Sequence, residues 1–134
     1  MKKTYHGSCH CGAVAYEADI DLSGGTFKCN CSICRKKRSW LVVATPADFR
    51  LISGEGALSE YLFGANAVHH LFCGTCGVSS FAHSDNPALG GKFYAVCVAC
   101  LDDATEEELA EAPVMYFDGR NDRYDRGPDE TRYL

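Results

Sequence analysis

Cys29-Asn30-Cys31-Ser32-Ile33-Cys34 packs three thiols into six residues, and two further cysteine clusters accompany it. Cys9-His10-Cys11-Gly12 precedes it and Cys73-Gly74-Thr75-Cys76-Gly77 follows it. Seven of the nine cysteines fall in these clusters. Zinc that holds a fold together takes four ligands in a closed tetrahedron. Zinc that does chemistry usually takes three protein ligands and keeps one position open. Seven thiolates divide into four plus three.

The two-cysteine clusters suit the closed site. Alternate residues of a strand share a face, so Cys9 and Cys11 on a strand can reach one ion. A Cys-x-x-Cys knuckle turns both sulfurs inward, and Gly74 and Gly77 permit the left-handed backbone such a turn needs. One ion on Cys9, Cys11, Cys73 and Cys76 would tie the N-terminal strand to the middle of the chain, and its binding energy would become folding energy. Cys29, Cys31 and Cys34 would then form the open site. Spacing also permits a different partition, in which Cys29, Cys31 and Cys34 recruit a fourth cysteine and leave another trio open. His69, His70 and His83 are further candidates for a fourth ligand.

A thiol entering an open zinc position is deprotonated at neutral pH, which makes it a nucleophile or a sulfur from which a bound group can leave. Arg35-Lys36-Lys37-Arg38 follows the trio directly. The run can offset the negative site and hold a substrate's carboxylates, or it can be a solvated face. Cys97 and Cys100 have Cys-x-x-Cys spacing, but three residues apart on a strand they face opposite sides, which favours core packing over metal binding.

The chain has 134 residues, 46% of them apolar, which suits one domain spanning 1–134 with a core over 5–117 and a polar tail over 118–134. An odd cysteine count argues against a disulfide framework. The start of the chain has no apolar signal segment, and no stretch is apolar enough to span a bilayer. The reading is a cytoplasmic protein whose thiols stay reduced. The formal charge is −5. Seven thiolates and two zinc ions would bring it to about −8, a poor balance for nucleic-acid binding. Iron–sulfur clusters usually take four cysteines each, so a trio points to zinc.

Short strands separated by Gly, Ser and Asp are predicted over 13–18, 40–44, 50–53, 58–63, 68–72 and 78–82. The longest is predicted over 92–101, and a hairpin turn at 54–56. Thr105-x-x-Glu108 has capping-box spacing and starts a short helix that ends near Ala112-Pro113. The tail reads either as an ordered wrap or as a loose end.

The clusters, in this order, resemble the glutathione-dependent formaldehyde-activating enzyme family, also called the centromere-protein-V-like domain. The matching segments are Gly7-Ser8-Cys9-His10-Cys11-Gly12, Cys29-Asn30-Cys31-Ser32-Ile33-Cys34-Arg35-Lys36, His70-Leu71-Phe72-Cys73-Gly74-Thr75-Cys76-Gly77 and Cys100-Leu101-Asp102-Asp103. Asp118-Gly119-Arg120-Asn121-Asp122 looks like a variant from one branch of the family, with Tyr124 where a tryptophan is frequent. The resemblance implies a mainly β, Mss4-like fold of twisted antiparallel sheets pinned by zinc. It implies a structural zinc on Cys9, Cys11, Cys73 and Cys76 and a catalytic zinc on Cys29, Cys31 and Cys34. It implies carbon–sulfur lyase chemistry that interconverts S-(hydroxymethyl)glutathione with formaldehyde and glutathione. The segment around Leu62-Phe63-Gly64-Ala65-Asn66 and the basic run are candidates for the thiol pocket. The rival reading is a non-catalytic zinc module that docks on another protein, with a closed second site and an exposed apolar patch. A chromatin-associated role, which the second family name would imply, is disfavoured by the acidic balance. A metal or redox buffer would require both ions to exchange readily.

Overall fold

The computed structural model describes residues 1–87 and 90–134. In chain order its elements are β1 (Lys3–Ser8), β2 (Ala15–Ile20), β3 (Thr26–Cys29), α1 (Ser32–Lys37), β4 (Leu41–Ala44), β5 (Phe49–Ser53), β6 (Leu58–Tyr61), β7 (Val68–Cys73), β8 (Phe81–Ser84), β9 (Phe93–Cys97), α2 (Glu106–Glu111) and β10 (Val114–Phe117). Strands dominate. They form a three-stranded sheet, β1-β2-β5, and a seven-stranded sheet, β10-β3-β4-β9-β8-β7-β6. The pairs are antiparallel except β10 with β3, which run parallel, so the larger sheet is mixed.

Period-2 alternation decides β2. Tyr16, Ala18 and Ile20 are buried, and the residues between them are half-exposed. Tyr16 then meets Phe49 at 5.3 Å and Phe81 at 5.6 Å between ring centroids, and Phe49 stacks on Tyr94 at 4.1 Å. These rings come from both sheets and join them. Such pairs add about 0.5–1.5 kcal/mol each beyond the area they bury. The α2 capping box forms as its spacing predicts: Thr105 Oγ1 accepts from the Glu108 N–H, and Glu108 Oε2 accepts from the Thr105 N–H.

Three expectations change. Residues 54–56 are not a hairpin turn. β5 pairs with β2 in the small sheet, whereas β6 pairs with β7 at the edge of the large one. Gly54, at φ +92°, carries the chain across between sheets where its backbone abuts Ala13 and Val14. The long strand over 92–101 stops at Cys97, and a 3-10 turn takes over at Val98–Cys100, closed by the Leu101 N–H on the Val98 carbonyl. Cys9 and Cys11 do not lie on a strand, because β1 ends at Ser8 and a turn follows. The tail is an ordered wrap: β10 lies beside β3, Asp118 and Leu134 are buried, and Lys28 Nζ donates to the Leu134 carbonyl.

Candidate metal centres and the groove between the elements

Cys9, Cys11, Cys73 and Cys76 bring their four sulfurs within 4.8 Å of one another. Two matching turns place them. The Cys9 N–H donates to the Val14 carbonyl and the Cys73 N–H to the Val78 carbonyl, both at 3.0 Å. Gly12 and Gly77 close the turns at φ +82° and +79° with N–H bonds back to the Cys9 and Cys73 carbonyls. Backbone donors also reach the sulfurs: Val14 N–H to Cys9 Sγ at 3.3 Å and Thr75 N–H to Cys73 Sγ at 3.4 Å. The backbone amides of Cys11 and Val78 push the Cys76 thiol down to about 6. The Cys9–Cys11 and Cys11–Cys73 sulfur separations are both 3.7 Å. A zinc–sulfur bond of about 2.3 Å in a tetrahedron sets sulfur–sulfur edges of about 3.8 Å. Donor type, number and spacing therefore fit one closed zinc site.

Cys29, Cys31 and Cys34 form a second group, also with sulfurs within 4.8 Å. Cys29 ends β3, Cys31 is the N-terminal cap of α1, and Cys34 lies one turn into that helix, on the same side. The sequence reading missed α1 because its first turn carries the ligand cluster instead of an apolar stripe. The Cys31 N–H reaches Cys29 Sγ at 3.4 Å. The Cys29 and Cys34 thiols hold Cys31 well below the ordinary thiol range. Among the described residues no fourth Cys, His, Asp or Glu atom joins this group. Cys29 is buried and Cys31 and Cys34 are half-buried, so the trio has an accessible side.

The histidines take other places. His69 and His83 are cross-strand partners on β7 and β8, stacked at 4.5 Å, and gather with Asp85 in a separate group. His70 stacks on Phe63 at 5.4 Å, and burial first, then Lys37, holds it below the ordinary imidazole range.

The chain after β10 covers the trio. Parallel pairing places Phe117 opposite Cys29, so the next residues arrive at the cysteines. Buried Asp118 accepts from Asn30 Nδ2 at 2.8 Å and from Asn121 Nδ2 at 2.9 Å. Asn30 Oδ1 accepts the Arg120 N–H at 2.9 Å. The residue between the first two cysteines of the trio thus clamps the tail over them. Gly119 sits tightest: a Cβ there would lie 2.5 Å from Cys29 Sγ, 3.1 Å from Cys31 Cβ and 3.2 Å from the Tyr124 hydroxyl. No sequence pattern marks Gly119 for this, since contact with the trio arises only from the β3–β10 pairing. Gly119→Ala is expected to displace Cys29 and weaken metal binding at the trio at least about tenfold while sparing the four-sulfur site. Zinc counting during graded chelation checks this.

A groove of about 1640 Å³ opens from the trio and is lined also by Lys37, Arg38, Phe63, His70 and Tyr124. Arg35 lines it too, with its guanidinium over the Tyr133 ring at 6.0 Å, whereas Lys36 does not. The basic run therefore divides, with three cations on the groove and one in solvent. Cys97 and Cys100 line the same groove and stand outside the apolar core, because the 3-10 turn, not a continuing strand, separates them. The core-packing expectation for this pair is corrected accordingly.

The family model for glutathione-dependent formaldehyde-activating enzyme matches residues 4–118. The chain belongs to the glutathione-dependent formaldehyde-activating enzyme family. Its fold is the Mss4-like one that the family resemblance implies, mainly β with cysteine clusters able to hold metal. The crystal structure of a Rhodobacter sphaeroides protein, a structural-genomics target, is similar with a TM-score of 0.68 and 32% sequence identity, covering 82% of this chain and 99% of that one. The family's activity is of the carbon–sulfur lyase class and implies glutathione as the thiol. Among the described residues no helix is long and apolar enough to cross a membrane.

Proposed function

We propose that this protein is a zinc-dependent carbon–sulfur lyase that makes and cleaves S-(hydroxymethyl)glutathione. Cys9, Cys11, Cys73 and Cys76 hold a structural zinc, and Cys29, Cys31 and Cys34 hold a catalytic one. The observation that carries this reading is the trio: three sulfurs within 4.8 Å, joined by no fourth donor among the described residues, on a groove large enough for a tripeptide. The rival docking-module reading requires that site to be closed.

A zinc ion held by Cys29, Cys31 and Cys34 would act as a Lewis acid, and would keep an incoming thiol ionised near neutral pH. The chain's own groups do the rest. Arg35, Lys37 and Arg38 line the groove and offer charge-assisted hydrogen bonds to glutathione's two carboxylates, which orients its sulfur toward the cysteines. Lys37 Nζ is already fixed by Ser79 Oγ at 2.9 Å. The Tyr124 hydroxyl flanks Gly119 beside Cys29 and is protonated at neutral pH, so it can donate to the hydroxymethyl oxygen. In synthesis the thiolate sulfur adds to the formaldehyde carbon and the carbonyl oxygen takes a proton. In cleavage the hydroxyl loses that proton, the carbon–sulfur bond breaks, and thiolate and aldehyde part.

Tyr124→Phe is expected to lower kcat/KM by about 100-fold through loss of that donor, with both zinc ions retained. Exchange of label between formaldehyde and S-(hydroxymethyl)glutathione, followed by nuclear magnetic resonance, tests the activity. Exchange faster than the spontaneous rate supports the proposal. Exchange at the spontaneous rate by protein carrying two zinc ions overturns it.

A further inference from the structure

The groove holds a second sulfur centre that the lyase chemistry leaves unused. β9 ends at Cys97, and the 3-10 turn Val98–Cys100 folds Cys100 back to the same groove. Both thiols are half-buried, neither belongs to the apolar core, and among the described residues no third ligand joins them to make a metal site. One short segment anchors the pair. The Cys97 N–H donates to the Ser80 carbonyl at 2.9 Å, the Cys100 thiol faces the Ser79 carbonyl at 4.0 Å, and Lys37 Nζ bonds Ser79 Oγ at 2.9 Å. A cation therefore stands beside a vicinal dithiol.

The two sulfurs are not equivalent. The Cys100 thiol, together with the backbone amides of Ala99 and Cys100 and the Lys37 charge, pushes Cys97 down to about 6. Its neighbour Cys97 and burial push Cys100 up. An ionised, accessible first thiol followed three residues later by a protonated one is the arrangement that performs thiol–disulfide exchange.

We propose that Cys97 and Cys100 form a second reactive centre, a dithiol that is oxidised by small disulfides and reduces them. The Cys97 thiolate attacks one sulfur of the small disulfide; that disulfide's bond breaks, and one thiol leaves. Cys100 then gives up its proton and attacks Cys97 of the mixed disulfide, releasing the second thiol. Two protein thiols are oxidised by two electrons to one disulfide, and the small disulfide is reduced to two thiols, which take up the protons. Glutathione disulfide is the probe of choice. That choice rests on the glutathione groove proposed above, whereas the exchange step does not.

The test treats zinc-loaded protein with glutathione disulfide at pH 7, followed by alkylation, peptide mass spectrometry and zinc counting. The wild type is expected to form the Cys97–Cys100 disulfide with its zinc retained. Cys100→Ser is expected to stop at one glutathione on Cys97, and Cys97→Ser to react at least tenfold more slowly. If a variant does not fold, the wild-type rate decides: at pH 6 Cys97 should react roughly tenfold faster than free cysteine. Loss of zinc before Cys97 is oxidised, a Cys97→Ser protein as reactive as wild type, or a Cys97 no faster than free cysteine each overturns the proposal. No readout requires lyase activity, so failure here leaves the proposed function standing, and a lyase that proves inactive leaves this centre standing.

Discussion

Cys31→Ala protein is expected to fold, to carry one zinc instead of two, and to lose thiol–aldehyde activity. Cys31 is the N-cap residue of α1 at the centre of the trio, with Cys29 and Cys34 on either side in sequence, so its loss would leave only two of the three sulfurs that can hold an ion there. Metal-assisted charge stabilisation is worth several kcal/mol, so the rate should drop on the order of 1,000-fold. The core does not depend on Cys31: the aromatic cluster of Tyr16, Phe49 and Phe81 and the four-sulfur group lie elsewhere in the fold. The checks are elemental zinc content, near-ultraviolet circular dichroism and the exchange assay on one preparation. Wild-type activity in this variant would remove the trio from the mechanism.

Cys73→Ser should behave in the opposite way, losing the fold itself. Cys73 is fully buried at the end of β7, and its sulfur lies 3.7 Å from Cys11 across a gap of 62 residues. A structural zinc in a four-cysteine site contributes on the order of 10 kcal/mol or more to folding. That matches or exceeds the whole stability of about 5–15 kcal/mol expected of a native protein. A serine hydroxyl is a poor substitute for a thiolate on zinc. The expected result is no cooperative thermal transition and no near-ultraviolet signal, where Cys31→Ala retains both. A Cys73→Ser protein that melts cooperatively would show that the core holds without this ion.

What the sequence discloses about these sites follows from how local each signal is. Both cysteine groups are readable because a short spacing within one turn already aims two or three sulfurs at one point, and the motif order then matches a family. The α2 cap is readable for the same reason, since Thr105 and Glu108 satisfy each other within one turn. The partner sheet of β5 is not readable, because Gly54 marks a change of direction without naming its destination. The groove side of Cys100 is hidden likewise, because a strand and a 3-10 turn place residue three on different sides. Asp118, Gly119 and Tyr124 stand in a stretch that resembles a family variant, but nothing local in it assigns them to the trio. They reach Cys29 and its neighbour Asn30 only because a strand from the end of the chain pairs in parallel with β3, a contact made across 88 residues between Asn30 and Asp118.

Under the proposed function, the trio keeps a place for an outside thiol. Cobalt in place of zinc reports on it directly, because each sulfur ligand contributes to the near-ultraviolet charge-transfer absorption. Titrating the cobalt protein with glutathione is predicted to give a saturable increase in that absorption, present in Tyr124→Phe and absent in Cys31→Ala. A spectrum that glutathione leaves unchanged in the fully loaded wild type would mean that the polypeptide closes the site and that no outside thiol reaches the metal there.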